Sequence, residues 1–269
     1  MHLDNFNKYK ELRKRHPDFI YESYDLSIDN DRINIVFTFS LDEKALFKPA
    51  LNIPVRDFFV SENMTVEKLK SFAFHIGMIE LVSYWKASCS PRIIIRPHKL
   101  DEWQVGWWKK LYFLGLGEFF YRNGIHNSIT DFVEIISYGE TVAQPVELTT
   151  NQSVLVPLGG GKDSTLTLEL LKSTLTVYPV CMNPRQAVWD TVTNAGIAKE
   201  KLVVLNRKLD NKLLQLNKEG YLNGHTPFSA LVAFVTGLTA ALTGSADIAL
   251  ANESSANEST ILDTQINHQ

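Results

Sequence analysis

Apolar and polar residues alternate along "YESYDLSI" (21–28) and "RINIVFTFSL" (32–41), and "NDR" between them suits a turn. The period of two predicts a pair of strands. The period then changes. In "TVEKLKSFAFHIGMIELVSYW" (65–85), Leu69, Phe72, Ile76 and Ile79 recur at helical spacing, with Thr65 and Lys68 giving half a capping box. "PRIIIRP" (91–97) is a short strand bounded by prolines. Asp101 suits the N-cap of a second helix, "EWQVGWWKKLYFLGLGEFFYRN" (102–123), with Trp107, Leu111 and Leu114 on one face. Sheet and helix mix here without a repeating unit, which predicts an α+β domain over residues 1–145.

"GETVAQPVELTTNQ" (139–152) is polar, contains a proline and reads as a linker. Beyond it strands and helices alternate. "SVLVPL" (153–158), "LTVYPV" (175–180), "KLVVLN" (201–206) and "ADIALAN" (246–252) read as strands. Helices are expected through "DSTLTLELLK" (163–172), "RQAVWDTVTNAG" (185–196, stopped by Gly196), "DNKLLQLNKEG" (210–220) and "TPFSALVAFVTGLTAALTG" (226–244). The last has Thr226 as cap and Pro227 at its first position. Apolar strands separated by helices imply a parallel sheet covered on both faces, over residues 146–269. Doubly wound sheets usually continue past four strands, and "INHQ" ends the chain without a closing helix, so a truncated C-terminus is expected.

Composition narrows the function classes. With 45% apolar residues, 269 residues can bury a sizeable core. A net charge of -3 argues against nucleic-acid binding by bulk positive charge. Cys89 and Cys181 lie far apart in no CxxC pair, which excludes a four-cysteine zinc site and fits a reducing cytoplasm. The polar N-terminus has no apolar signal region, and no apolar run is long enough to span a membrane.

The candidate chemistry centres on "PLGGGKDST" (157–165). A Walker A loop fails, because Asp163 follows Lys162 and Val156 occupies the first glycine position. A dinucleotide fingerprint is weakened by "PVCMNP", which offers no acidic residue after the second strand. "GGGKDS" fits a PP-loop, with glycine where serine is common. Gly159, Gly160 and Gly161 let backbone N–H groups curl inward, and the following helix adds its positive end. Ser164 and Thr165 supply hydroxyls, Lys162 can contact phosphate oxygens and Asp163 can help hold Mg2+. Such a nest matches the pyrophosphate of ATP. If the strand order is 3-2-1-4, "ANESSANEST" (251–260) brings Asn252, Glu253 and Glu258 beside the loop, and carboxylates near a triphosphate imply metal. Asn223 and His225 precede the long helix, and His225 is a candidate proton carrier. The aromatic run Trp103 to Tyr121 reads as core more readily than as a stacking platform.

"FHIGMIELVSYWK" (74–86), "GLGEFFYRN" (115–123), "PLGGGKDS" (157–164), "NGHTPFSALVAF" (223–234), "LANESSANES" (250–259) and "INHQ" (266–269) together resemble the ATP-dependent UDP-N-acetyl-muramoyl-L-alanyl-L-glutamate epimerase family. The resemblance implies a PP-loop ATP pyrophosphatase fold preceded by an α+β domain. It implies a cytoplasmic isomerase of peptidoglycan-precursor synthesis that uses ATP and Mg2+. Its substrate would be the UDP-muramoyl dipeptide, with no nucleic-acid or membrane partner. Gly159, Gly160, Gly161, Lys162, Ser164, Thr165 and Asn252 would bind nucleotide, Asp163 would hold metal, and His225, Glu253 and Glu258 would be catalytic. The alternatives are a PP-loop enzyme that forms an amide or related C–N bond through an adenylated intermediate, and a catalytically silent nucleotide-binding module.

Overall fold

The computed structural model describes residues 2–42, 45–141, 147–252 and 258. Among them are ten strands, all in one mixed sheet, and eight α-helices. The hairpin forms as the alternation predicts. β1 (Asp18–Ile28) and β2 (Arg32–Leu41) pair antiparallel with Ile28 opposite Ile33. Asp29 Oδ1 closes the turn, accepting from the N–H groups of Asp31 (2.9 Å) and Arg32 (2.8 Å). Ile33, Ile35, Phe37 and Phe39 point alternately inward and are buried.

After the short strand β3 (Ala45–Phe47), β4 (Ala50–Pro54) joins the other edge of β2. A preceding helix, α1 (His2–Arg15), opens the chain. α2 (Val66–Trp85) starts where Thr65 Oγ1 accepts from Lys68 N. The sequence gives this helix one apolar face, but from Ala73 onward it is buried nearly all round. The reason is position: it packs on β1 on one side and on a later apolar helix on the other. β5 (Arg92–Ile95) and β6 (Glu134–Ser137) extend the sheet beyond β1.

The second predicted helix divides at Leu116 into α3 (Glu102–Gly115) and α4 (Gly117–Asn123). Asp101 caps α3 in a full capping box with Gln104. Its buried face is offset from Trp107, Leu111 and Leu114. Trp108 and Tyr112 are buried, whereas Trp107 and Leu114 are exposed. Tyr112 Oη donates to Met78 O at 2.7 Å, and this bond fixes the rotation of the helix.

Residues 147–252 give the expected alternation. β7 (Asn151–Pro157), α5 (Lys162–Leu171), β8 (Thr176–Met182), α6 (Gln186–Asn194), β9 (Val203–Lys208), α7 (Asn211–Lys218), α8 (Phe228–Thr243) and β10 (Ser245–Ile248) follow in order. All pairs among β10, β7, β8 and β9 are parallel, in the spatial order β10-β7-β8-β9. Read from the other edge, this is the order 3-2-1-4. α8 begins one residue later than expected, with Pro227 at the N-cap and no side-chain cap bond. Its buried Thr236, Thr239 and Thr243 satisfy their hydroxyls on carbonyls one turn back, at 2.8 to 3.0 Å. The sheet runs on across the chain's midpoint, because β9 pairs antiparallel with β4. A large core cluster spans both halves, from Tyr9 to Leu242, and a smaller one around Val156 and Leu168 lies between the sheet and α5 and α6.

Candidate functional site

β8 and β9 are laid down to one side of β7, and the chain then crosses through α8 to place β10 on the other side. The strand order therefore reverses at β7. A crevice opens at such a point, because the connections on its two sides depart in opposite directions. A cavity of about 890 Å³ lies there, at the carboxyl ends of all four strands. Pro157, Met182, Leu205 and Leu250 line it from these strands and their continuations.

The glycine loop forms one wall. Gly160 adopts φ +81°, a left-handed conformation that turns the chain from β7 into α5. A Cβ there would sit 3.5 Å from both Ala187 Cβ and Val188 Cγ2, so the loop rests on the start of α6. At Gly159 and Gly161 a Cβ would meet nothing within 4 Å among the described residues. These two glycines leave space open for a ligand to approach the backbone. Gly161 is the N-cap of α5 and brings no side chain to its N–H groups. Open backbone, a helix N-terminus and no competing cap are what an oxyanion needs.

The expected site residues divide. Gly159, Gly160, Gly161, Asp163, Ser164 and Asn252 line the cavity. Lys162 and Thr165 are not among its lining residues. Lys162 Nζ lies 2.9 Å from Asp163 Oδ1, so its charge sits beside that carboxylate. Ser164 Oγ and Thr165 Oγ1 both donate back to Gly161 O, at 3.3 and 2.9 Å, and so brace the first turn of α5. His225 is also outside the lining. Its Nδ1 is 3.8 Å from Glu118 Oε2, and its buried Nε2 has no hydrogen-bond partner among the described residues. Glu258 is exposed, and Glu253 lies outside the described residues. Among the described residues no three His, Cys, Asp or Glu side chains cluster as a metal cage. The aromatic run is divided as well. Trp108 stacks on Phe234 of α8 (5.2 Å, 18°) within the core, while Trp103 and Tyr121 are exposed away from the cavity lining.

Another part of the lining was not anticipated. Arg185, the N-cap residue of α6, contributes to it with Asn183, Arg207 and Ser229. Arg207 is held by a buried carboxylate: its Nε and Nη2 donate to Glu80 Oε2 and Oε1 at 2.8 and 2.9 Å. Asn183 pairs with the backbone of Arg207 in both directions, donating to its O (2.9 Å) and accepting from its N (3.0 Å). Glu80 is 127 residues away in sequence, so no local pattern could have signalled this pair. Cys181 also lines the cavity, and burial pushes its thiol up to about 11, so it is protonated and unreactive near neutral pH.

Among the described residues no helix is long and apolar enough to cross a membrane. Residues 10–269 match the MurL N-terminal domain family. A UDP-N-acetyl-alpha-D-muramoyl-L-alanyl-L-glutamate epimerase of Salinispora tropica is 29% identical over 266 residues, 96% of this chain and 56% of that protein. Proteins of the same name from Micromonospora sp. and Xanthomonas oryzae pv. oryzae are 28% and 32% identical, over 96% and 72% of this chain and 58% and 43% of their own. The chain thus spans about half the length of the curated relatives it matches. No solved structure matches it. The match over nearly the whole chain places it plainly: it belongs to the MurL N-terminal domain family.

Proposed function

We propose that this chain is the ATP-using part of an epimerase that inverts the terminal glutamate of UDP-N-acetylmuramoyl-L-alanyl-L-glutamate. The observation that carries the nucleotide reading is the open glycine cradle at the strand-order reversal, with Gly159 and Gly161 under no packing demand from the described residues. The names of the relatives supply the substrate. On this reading residues 146–269 form a PP-loop ATP-binding domain and residues 1–145 an α+β domain before it. A substrate of this kind, a soluble nucleotide precursor, suits a cytoplasmic enzyme.

The chemistry explains the need for ATP. The α-proton of glutamate is poorly acidic while the adjacent carboxylate is charged. A carboxylate oxygen attacks the α-phosphorus of ATP, the bond from that phosphorus to the bridging oxygen breaks, and pyrophosphate leaves. The resulting acyl-adenylate has lost the negative charge, so the Cα proton can depart and return on the other face. Water then cleaves the acyl–phosphate bond, giving D-glutamate and AMP.

In this chain the backbone N–H groups around Gly159, Gly160 and Gly161 would hold the leaving pyrophosphate, with Lys162 nearby. Asp163 lines the cavity and would hold Mg2+, which typically takes one or two carboxylates and completes its shell with phosphates and water. Ser164 and Thr165 would act through the geometry of the helix start, since their hydroxyls bond to Gly161 O. Asn252 lines the cavity, and Glu253 and Glu258 follow it in sequence. His225, Glu253 and Glu258 are the candidates for acid–base or metal work; neither His225 nor Glu258 is among the cavity's lining residues.

The test is to incubate the protein with ATP, Mg2+ and the UDP-muramoyl dipeptide, following pyrophosphate and glutamate chirality together. Dipeptide-dependent pyrophosphate with D-glutamate is expected. Pyrophosphate only with another acid and an amine would indicate an amide-forming enzyme, and ATP binding without pyrophosphate a silent module. Asp163→Asn is expected to stop pyrophosphate release with the circular dichroism unchanged.

A further inference from the structure

The glycine loop accounts for only part of the cavity lining. Two arginines also line it, Arg185 at the start of α6, on which the loop rests, and Arg207 at the end of β9. Arg207 is unusual for a cavity residue. Its side chain is 16% exposed and its partner Glu80 only 3%. The fork is fixed from three directions: Glu80 takes Nε and Nη2, Ser83 Oγ lies 3.2 Å from Nη2, and Asn183 pins the backbone. Nη1 has no hydrogen-bond partner among the described residues, yet it is not a buried orphan. On a residue that lines the cavity, this leaves one donor arm exposed on a rigid group. Arg185 is exposed, makes no ion pair or side-chain hydrogen bond among the described residues, and follows Asn183 by two residues. A cation held this rigidly selects planar oxyanions, because little side-chain entropy remains to be lost on binding.

We infer that Arg185 and Arg207 form an oxyanion subsite for the acidic second substrate, built from guanidinium side chains where the glycine loop offers backbone N–H groups. This inference rests on the function proposed above. Two sources share the chemistry: the carboxylates of the terminal glutamate and the diphosphate of the nucleotide sugar. In this arrangement Glu80 is a positioning residue. It lies on α2, in the N-terminal half, and sets the angle at which Arg207 meets the cavity.

The experiment is a calorimetric titration of the protein with three ligands: the UDP-muramoyl dipeptide, the same compound lacking glutamate, and a non-hydrolysable Mg-ATP analogue. Arg185→Ala and Arg207→Lys are each expected to weaken the dipeptide compound tenfold or more and to leave the ATP analogue within twofold of wild type. Arg207→Lys keeps the charge but loses the fork, so its loss separates geometry from charge. Glu80→Gln is expected to reproduce the Arg207→Lys defect, which a purely structural role would not confine to one ligand. If the compound lacking glutamate is weakened equally, the diphosphate is the anion recognised; if it is insensitive, the carboxylates are. Arg185→Ala changes an exposed side chain and keeps the test decisive should the Arg207 variant fail to fold. Unchanged dipeptide binding in Arg185→Ala, or a loss that falls on the ATP analogue instead, overturns the subsite. If wild type binds the ATP analogue but not the dipeptide compound, the proposed function fails. A panel of acidic dipeptides then decides the subsite: a binder lost in the arginine variants supports it, and no binder overturns it.

Discussion

On α2, a Cβ placed at Gly77 would lie 1.9 Å from Tyr21 Oη, 2.4 Å from its Cζ and 2.9 Å from Phe37 Cδ1; at Gly159 and Gly161 it would meet nothing within 4 Å among the described residues. The same residue type answers opposite demands in the two regions. Between α2 and the sheet, glycine lets a helix sit against the fully buried ring of Tyr21, which also stacks on Phe74 at 5.9 Å. In the loop after β7, glycine is needed for what it leaves empty. One region is close-packed around buried rings; the other keeps its backbone open at Gly159 and Gly161 among the described residues. Gly77→Ala should therefore have the largest effect on stability. Overpacking costs about 1–3 kcal/mol where neighbours can move, and here a buried aromatic ring blocks the methyl, so about 3 kcal/mol or more is expected from urea unfolding. A loss under about 1 kcal/mol would mean that Tyr21 can move aside, and the contrast between the regions would collapse.

Charge probes the same packed region. His75 lies on α2, its Nδ1 is buried without a partner among the described residues, and burial, aided by the nearby His98, lowers its pKa from 6.5 to about 4. Between those values the unfolded chain binds the proton more readily than the folded one, so this contribution is complete above pH 6.5 and is lost as pH falls toward 4. Unfolding at pH 7 and pH 5 should differ by about 2 kcal/mol from this group. His75→Leu should flatten that part of the acid limb; an unchanged limb would show that His75 is not the group responsible.

Gly160 stands between the two cases. Its surroundings leave ordinary contact distance, 3.5 Å to Ala187 Cβ, but its φ is +81°. Gly160→Ala should cost about 1 kcal/mol from conformation alone. A cost near that at Gly77 would show that the loop is packed after all.

The contrast also explains what could be read from the sequence. Strand–helix alternation after residue 150 and the glycine loop are local patterns, and each was legible; the strand order, which pairs β10 with β7 across more than 80 residues, could be entered only as a condition. The buried face of α3 was missed by one position, because Trp107 and Trp108 are equally apolar and distant contacts, the bond from Tyr112 to Met78 and the stacking of Trp108 on Phe234, decide between them. The β9–β4 pairing joins strands far apart in sequence, and such antiparallel contacts leave no periodic trace. Arg207 and Glu80 were invisible for the same reason. Thr165 and His225 were reasonable by residue type, yet hydroxyls near a helix start also bond to its own backbone, and a histidine before a helix can face a neighbouring glutamate. Gly77 became informative only once Tyr21 was placed against it.

Gly159→Ala should change stability least and sharpen the comparison most. The position has no left-handed φ, and the added methyl has open space, so unfolding should stay within about 0.5 kcal/mol of wild type. That same space is where a phosphate would approach the backbone, and a methyl group would hold it back by about a carbon radius. Titration with a Mg-ATP analogue should therefore show a loss of affinity of about tenfold or more, equivalent to about 1.4 kcal/mol of binding. The two readouts must separate for the reading to stand. Equal losses in stability and binding would make the loop an ordinary packed turn, and unchanged binding would mean that nucleotide does not approach the backbone at Gly159.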